Sequence, residues 1–214
     1  MDRRHLLLGL MALPAVAHAE AKPPVKLTKV FPYLDKYFSL PPAQRDRFSL
    51  AYTYLLNGKP AAGLKGAIIH VDGQRVPFGV GADGRVMRLP TAAELQTGML
   101  ALELPASAKI GVSLDLFPSL PPAKDMAPRD LDAAMLQANT AIARLSGALS
   151  FAAPKMVAVG FEGVSAGTAV FADGRQMALP SDKEGLFYAP AKMPGAVRLS
   201  FAHAPSRLEF RDKT

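Results

Sequence analysis

Ala82-Asp83-Gly84-Arg85-Val86-Met87-Arg88-Leu89-Pro90 returns ninety positions later as Ala172-Asp173-Gly174-Arg175-Gln176-Met177-Ala178-Leu179-Pro180, with seven identities in register. Internal repetition bears on architecture before any residue has a role, and here it predicts two tandem β-rich units. The flanks extend the match, since Asp72-Gly73 aligns with Glu162-Gly163 at the same spacing. Thr91 to Thr97 then stands against the shorter Ser181 to Glu184, and past that deletion Gly98 meets Gly185 and Pro118-Ser119 meets Pro205-Ser206. Ile110, Val112 and Leu114 likewise fall on Val197, Leu199 and Phe201. Asp-Gly turns and Leu-Pro strand ends also recur in β-proteins for local reasons, but the matched flanks favour duplication. In this reading Asp-Gly makes a turn, Met87 and Met177 fill the core, and Pro90 and Pro180 end a strand.

Working outward, Phe48, Leu50, Tyr52 and Tyr54 alternate with Ser49, Ala51 and Thr53, which predicts a half-buried strand ended by Asn57-Gly58. Ala67 to Val71, Val76 to Val80 and Val86 to Leu89 are short apolar runs joined by Asp72-Gly73 and Asp83-Gly84, the pattern of a meander. Thr91 to Thr97 suits a helical turn, and Met99 to Leu104 and Ile110 to Leu116 suit strands. Val157 to Phe161 and Thr168 to Phe171 open the second unit as strands. Ahead of the first unit, Thr28 can cap one helix carrying Val30, Tyr33, Leu34, Tyr37 and Phe38, stopped by Pro41-Pro42. Between the units, Leu131, Met135, Ala138, Ile142 and Leu145 form one apolar stripe on a helix starting at Asp130 or Asp132, with Gly147 after its end.

The expected fold class is therefore α+β and mainly antiparallel β, two tandem β-rich repeats forming a sandwich or a shared sheet with one or two packed helices. The division is 1–19 signal peptide, 20–46 lead and helix, 47–119 first β repeat, 120–150 Pro-rich connector and helix, and 151–214 second β repeat. Each repeat alone is near the size at which a core becomes marginal, so the two are expected to form one globular body.

Residues 1–19 have a basic start in Arg3 and Arg4, an apolar run from Leu6 to Ala17, and the small-x-small ending Ala17-His18-Ala19. That is the form of a cleavable secretion signal, which predicts a periplasmic or secreted protein after cleavage near Ala19. Arg3-Arg4 also fits a twin-arginine signal. The run is shorter than the ~18 apolar residues of a membrane span and contains Pro14, so no transmembrane anchor is expected. The chain has no cysteine, which excludes disulfides and thiol chemistry. Its formal charge of +7 comes from scattered Lys and Arg, a solubilising surface that can also favour anionic envelope polymers or headgroups. No basic stripe is interleaved with aromatics, so nucleic acid is not an expected partner.

The sharpest chemical motif is Gly163-Val164-Ser165-Ala166-Gly167, of the form G-x-S-x-G, followed by Asp173, Asp182 and His203. A hydrolase elbow needs a helix directly after the serine, whereas Thr168 to Gly174 reads as strand then turn. The candidates Ser165, Asp182 and His203 are kept as a nucleophile, acid and base set. His70 and His203 are the histidines left after signal removal; each is isolated within a predicted strand, and no metal site is expected. No P-loop, dinucleotide fingerprint, HExxH or EF-hand loop occurs, so no cofactor is expected. The two Asp-Gly-Arg turns could present acid and base groups, although turn chemistry alone accounts for them.

The Phe48 to Tyr54 strand, Leu89-Pro90, the Leu131 to Leu145 helix and the region from Leu145-Ser146-Gly147 to Val159-Gly160 resemble a family of secreted proteobacterial proteins known as a domain of unknown function. The resemblance implies export, and that family offers no activity or site residues to carry over. The leading expectation is an exported, non-catalytic binding or scaffolding protein whose ligand, an envelope protein, a lipid or a polymer, occupies an apolar cleft between the two units. The alternatives are an envelope serine hydrolase using Ser165 and His203, and an assembly factor that offers an unpaired edge strand such as Phe48 to Leu55.

Overall fold

A computed structural model describes residues 23–104, 108–146 and 153–214. The segment read as a secretion signal, 1–19, and the helix-ending Gly147 lie outside the described residues. In chain order the elements are β1 (Val25–Lys26), α1 (Leu27–Val30), α2 (Leu34–Ser39), a 3-10 turn at Pro42–Gln44, β2 (Phe48–Leu56), β3 (Lys59–Pro60), β4 (Lys65–Ile69), β5 (Arg75–Gly79), α3 (Ala92–Thr97), β6 (Met99–Leu102) and β7 (Ile110–Pro118). There follow β8 (Asp125–Met126), α4 (Pro128–Ser146), β9 (Ala158–Glu162), β10 (Gly167–Phe171), β11 (Gln176–Ala178), β12 (Ser181–Asp182), β13 (Gly185–Tyr188), β14 (Ala196–Phe201) and β15 (Arg207–Arg211). The protein is α+β and mainly antiparallel β. Its sheets run β1-β6-β4-β5, β3-β2-β7, β11-β10-β14-β8 and β12-β13-β9-β15. Among the described residues no helix is long and apolar enough to cross a membrane.

The longest ladder joins β2 to β7, from Phe48 opposite Pro118 to Leu56 opposite Ile110. Alternation sends even-numbered side chains of both strands to one face. Phe48 enters one core, with α4, β9, β10, β13, β14 and β15; Tyr52 and Tyr54 enter the other, with α1, α2, α3, β4, β5 and β6. Leu50 and Tyr37 touch both cores.

The core that Tyr52 and Tyr54 enter is aromatic: Phe31 meets Tyr52, Tyr54 and Phe78 edge to face with ring centres 5.1, 6.3 and 6.3 Å apart. The helix expected from Thr28 is two short helices, because Pro32 cannot donate a backbone hydrogen bond and Tyr33 takes a φ of 66°. Buried Tyr hydroxyls satisfy the carbonyls exposed by that break, Tyr52 donating to Pro32 O at 2.7 Å and Tyr54 to Val30 O at 3.3 Å. Burial raises both phenols above their ordinary range.

In the core that Phe48 enters, α4 buries Leu131, Met135 and Ala138, as its stripe predicts. Pro128 at its start extends the helix beyond the expected Asp130. Its polar face holds the chain on either side. Asn139 bonds the backbone of Met156 twice, at 2.9 and 2.7 Å, and Gln137 bonds Ala43 O, Asp46 and the Arg47 amide.

The twin segments form the same turn. Gly81 N donates to Arg85 O and Gly84 N to Gly81 O; Phe171 N donates to Arg175 O and Gly174 N to Phe171 O. Arg85 N and Arg175 N each donate to the aspartate two residues earlier at 3.0 Å. The turns join different neighbours. Arg85 bridges to Thr53 of β2, whereas β10 pairs with β14. Val86 to Leu89, expected as a strand, contributes only isolated bridges, and Met87, expected in the core, is 77% exposed. β4 and β5 form the expected hairpin, but β9 and β10 lie in separate sheets because β15 takes the place beside β9. Residues 120–124, which stand 87 positions before β15, include Pro121 and Pro122, which lack the N–H a ladder needs.

Phe48 to Leu55, expected as an unpaired edge strand, is a paired one. β7 pairs its whole length, and β3 and the Arg85–Val86 segment occupy part of its other side.

The two turns make a controlled comparison. Gly84 and Gly174 have φ of +78° and +82°, but a Cβ on Gly84 would stand 2.7 Å from Tyr54 O and 2.9 Å from Ala61 N, whereas one on Gly174 meets none of the described residues within 4 Å. Left-handed strain alone predicts a loss of about 1 kcal/mol for Gly174→Ala. Gly84→Ala adds a backbone clash and costs about 3 kcal/mol or more. Urea unfolding of both variants measures the difference, and equal losses would contradict the packing described.

Candidate functional site

Where the two cores meet, the even face of β2 and β7 is covered by α2 on one side and α4 on the other. The cover is incomplete. A groove of about 500 Å³ remains, lined among others by Phe48, Leu50, Leu114, Leu116, Ile142 and Leu145. Its walls follow from elements already described: period-two alternation presents Leu50, Leu114 and Leu116, and the last turns of α4 present Ile142 and Leu145. Two other clefts, of about 220 and 280 Å³, are smaller, one beside Leu64 and Leu104 and one beside Thr168 and Ser200.

Tyr33 and Lys36 form the polar rim of the groove. Tyr33 is 50% exposed in a left-handed conformation that a tyrosine adopts at a cost of about 1–2 kcal/mol. Lys36 Nζ lies 5.3 Å above its ring and donates to Leu145 O at 3.3 Å, spanning from α2 to the end of α4. Tyr37, at the base, donates to Phe48 O at 3.2 Å.

The opposite face of β7 carries a charged seam between the units. Arg85 stacks on Phe117 at 4.2 Å, and its Nε is buried without a hydrogen-bond partner among the described residues. The β9–β15 register sets Arg207 opposite Glu162 and Glu209 opposite Gly160, so both carboxylates share a face, with Arg207 Nε 3.6 Å from Glu162. Burial, then the hydrogen bond and charge of Glu162, raise Glu209 to about 7, while Arg207 and Arg85 pull it down.

Ser165 and His203 are both exposed. The β10–β14 ladder, in which Gly167 faces Phe201, brings them beyond the same end of the sheet. No hydrogen bond or ion pair of the described residues joins them. His203 Nδ1 contacts Ala204 O at 3.1 Å. His203 lies in the bend between β14 and β15, and His70 lies just past β4; neither is inside the strand expected for it. Asp182 is placed elsewhere, accepting from Arg211 at 3.0 Å and from Glu184 N at 2.8 Å. Arg211 itself is buried, fits over Gly160 where a Cβ would stand 2.5 Å from its Nε, and donates to Glu184 O at 2.6 Å. Asp182 thus helps lock the last strand. The chain after Ser165 is strand β10, not the helix an elbow requires.

His70 Nε2 lies 3.4 Å from Glu94, which caps α3 through Thr91 and pairs with Arg88 at 3.0 Å. The Arg88 hydrogen bonds hold Glu94 at about 2. Among the described residues no cluster of three or more His, Cys, Asp or Glu could hold a metal. Of the groove residues, the sequence marked the strands and the helical stripe but not Lys36; of the seam, it did not mark the Glu162–Glu209 pair. Comparison with family models, with curated proteins and with solved structures returns no match.

The seam makes stability depend on pH. Because the folded protein holds the Glu209 proton more tightly than the unfolded chain, that stabilisation is complete below about 4.5 and is lost as pH rises through about 7. The urea midpoint of the parent protein should therefore fall from pH 5 to pH 8 by more than that of Glu209→Gln. Parallel pH profiles would show that the seam does not hold this proton.

Proposed function

We propose that this protein is an exported, non-catalytic binding protein, built from a tandem β repeat and acting in the periplasm or outside the cell, whose ligand is a small apolar molecule held in the groove between α2, α4 and the β2–β7 face. The observation that carries this is a cleft of about 500 Å³ with a largely apolar lining at the junction of two separate cores. Small-molecule sites are commonly concave, apolar and roughly 300–1,000 Å³ in volume, and they form preferentially where packed bodies meet. Residues 1–19 and the resemblance to a secreted family support export. The twin turns, with the same hydrogen bonds at Gly81–Arg85 and Phe171–Arg175, support duplication.

Binding is read with Nile red, a neutral apolar dye. The protein should bind one dye per chain with a blue-shifted emission. Leu116→Trp, which adds bulk to the groove wall, should weaken binding at least tenfold while the circular dichroism stays that of the parent. Dye binding that is absent, or indifferent to Leu116→Trp in a folded variant, contradicts the reading.

A second reading, a hydrolase using Ser165 and His203, rests on their shared position at the end of the β10–β14 ladder. It requires covalent labelling of Ser165 by a fluorophosphonate. The leading reading predicts no labelling above that of Ser165→Ala.

A further inference from the structure

We infer that the occupant of the groove is a single-chain fatty acid, its hydrocarbon tail against Leu50, Leu114, Leu116 and Ile142 and its carboxylate at Lys36 beside Tyr33. The inference rests on the groove being a ligand site and names the chemistry it selects. Volume limits the tail. A methylene takes up about the space of a water molecule, roughly 30 Å³, so about 500 Å³ holds on the order of sixteen carbons in one chain. A two-chain lipid would not fit.

Charge selects the head. No acidic residue lines the groove among the described residues, and Lys36 is the one cationic residue lining it. Lys36 is exposed and in no ion pair among the described residues. Its ammonium has three donors, one of which reaches the neutral Leu145 carbonyl, leaving two for an anion. The Tyr33 ring holds that ammonium over the mouth. A cationic amphiphile would meet like charge there, and a neutral one would leave the donors to water.

Lys36 also sits where a cation complements the C-terminal carbonyls of α4, and the experiment separates that role from recognition. Bound Nile red is displaced at pH 8 by palmitate, by methyl palmitate and by lysophosphatidylcholine of the same chain length. Palmitate should displace the dye at a concentration about tenfold below that of the methyl ester and of the lysolipid, as expected for a charge-assisted hydrogen bond. Lys36→Met should bring palmitate and its ester within about twofold of each other with the ester unchanged, and Lys36→Arg should restore the preference. Equal displacement by all three probes on the parent protein, or a preference that survives Lys36→Met, overturns the fatty acid assignment. Dye that binds and is displaced without preference leaves the groove as the site and removes only this inference. Dye that does not bind removes both.

Discussion

Nine consecutive residue pairs hold Phe48–Leu56 against Ile110–Pro118, and the face on which their even-numbered side chains emerge serves two cores at once. In a strand a register slip of one residue would turn every one of those side chains to the other side. Phe48 would leave the core under α4, Tyr52 and Tyr54 would leave the aromatic cluster around Phe31, and the carbonyls of Val30 and Pro32 would lose their tyrosine donors. The groove depends on the same ladder. Its floor is the stretch where the sheet face passes from one core to the other, at Leu50, and neither α2 nor α4 covers that stretch.

Much of the architecture was legible in local chemistry. The alternation from Phe48 to Tyr54, the Asp-Gly turns, the helical turn within Thr91 to Thr97 and the stripe from Leu131 to Leu145 each report a preference of a few neighbouring residues, and all of them form. Failures occur where a distant segment decides. The pairing of β9 follows from β15, over forty residues away in the chain, and not from the turn that resembles the one after β4. The first helix breaks at Pro32, where two tyrosines from β2 accept the consequence. Met87 is exposed because Arg85 and Val86, and not the strand end beyond them, make the contact with β2.

The candidate site was legible only in outline. The repeat read from the sequence pointed to a cleft between two β units, whereas the groove is lined by α2, α4 and the β2–β7 face, and none of β9 to β15 lines it. Lys36 belongs to a charged stretch with Asp35 on a short helix and carries no motif; its importance comes from the approach of α4, which brings Leu145 O within 3.3 Å. The G-x-S-x-G motif shows the reverse case. Its letters match, but its aspartate is engaged by Arg211 and its serine leads into a strand. Spacing alone does not decide what a polar residue faces once the sheets assemble.

The groove and the seam lie on opposite faces of β7, so a molecule bound on one face touches none of the charges on the other. That separation allows a direct test of the groove as the ligand site. Amide shifts of the isotope-labelled protein titrated with palmitate should move first and most at Leu50, Leu114, Leu116, Ile142 and Leu145, with Glu162 and Glu209 unmoved. Shifts concentrated instead around Thr168 and Ser200, or spread evenly over the surface, would contradict it.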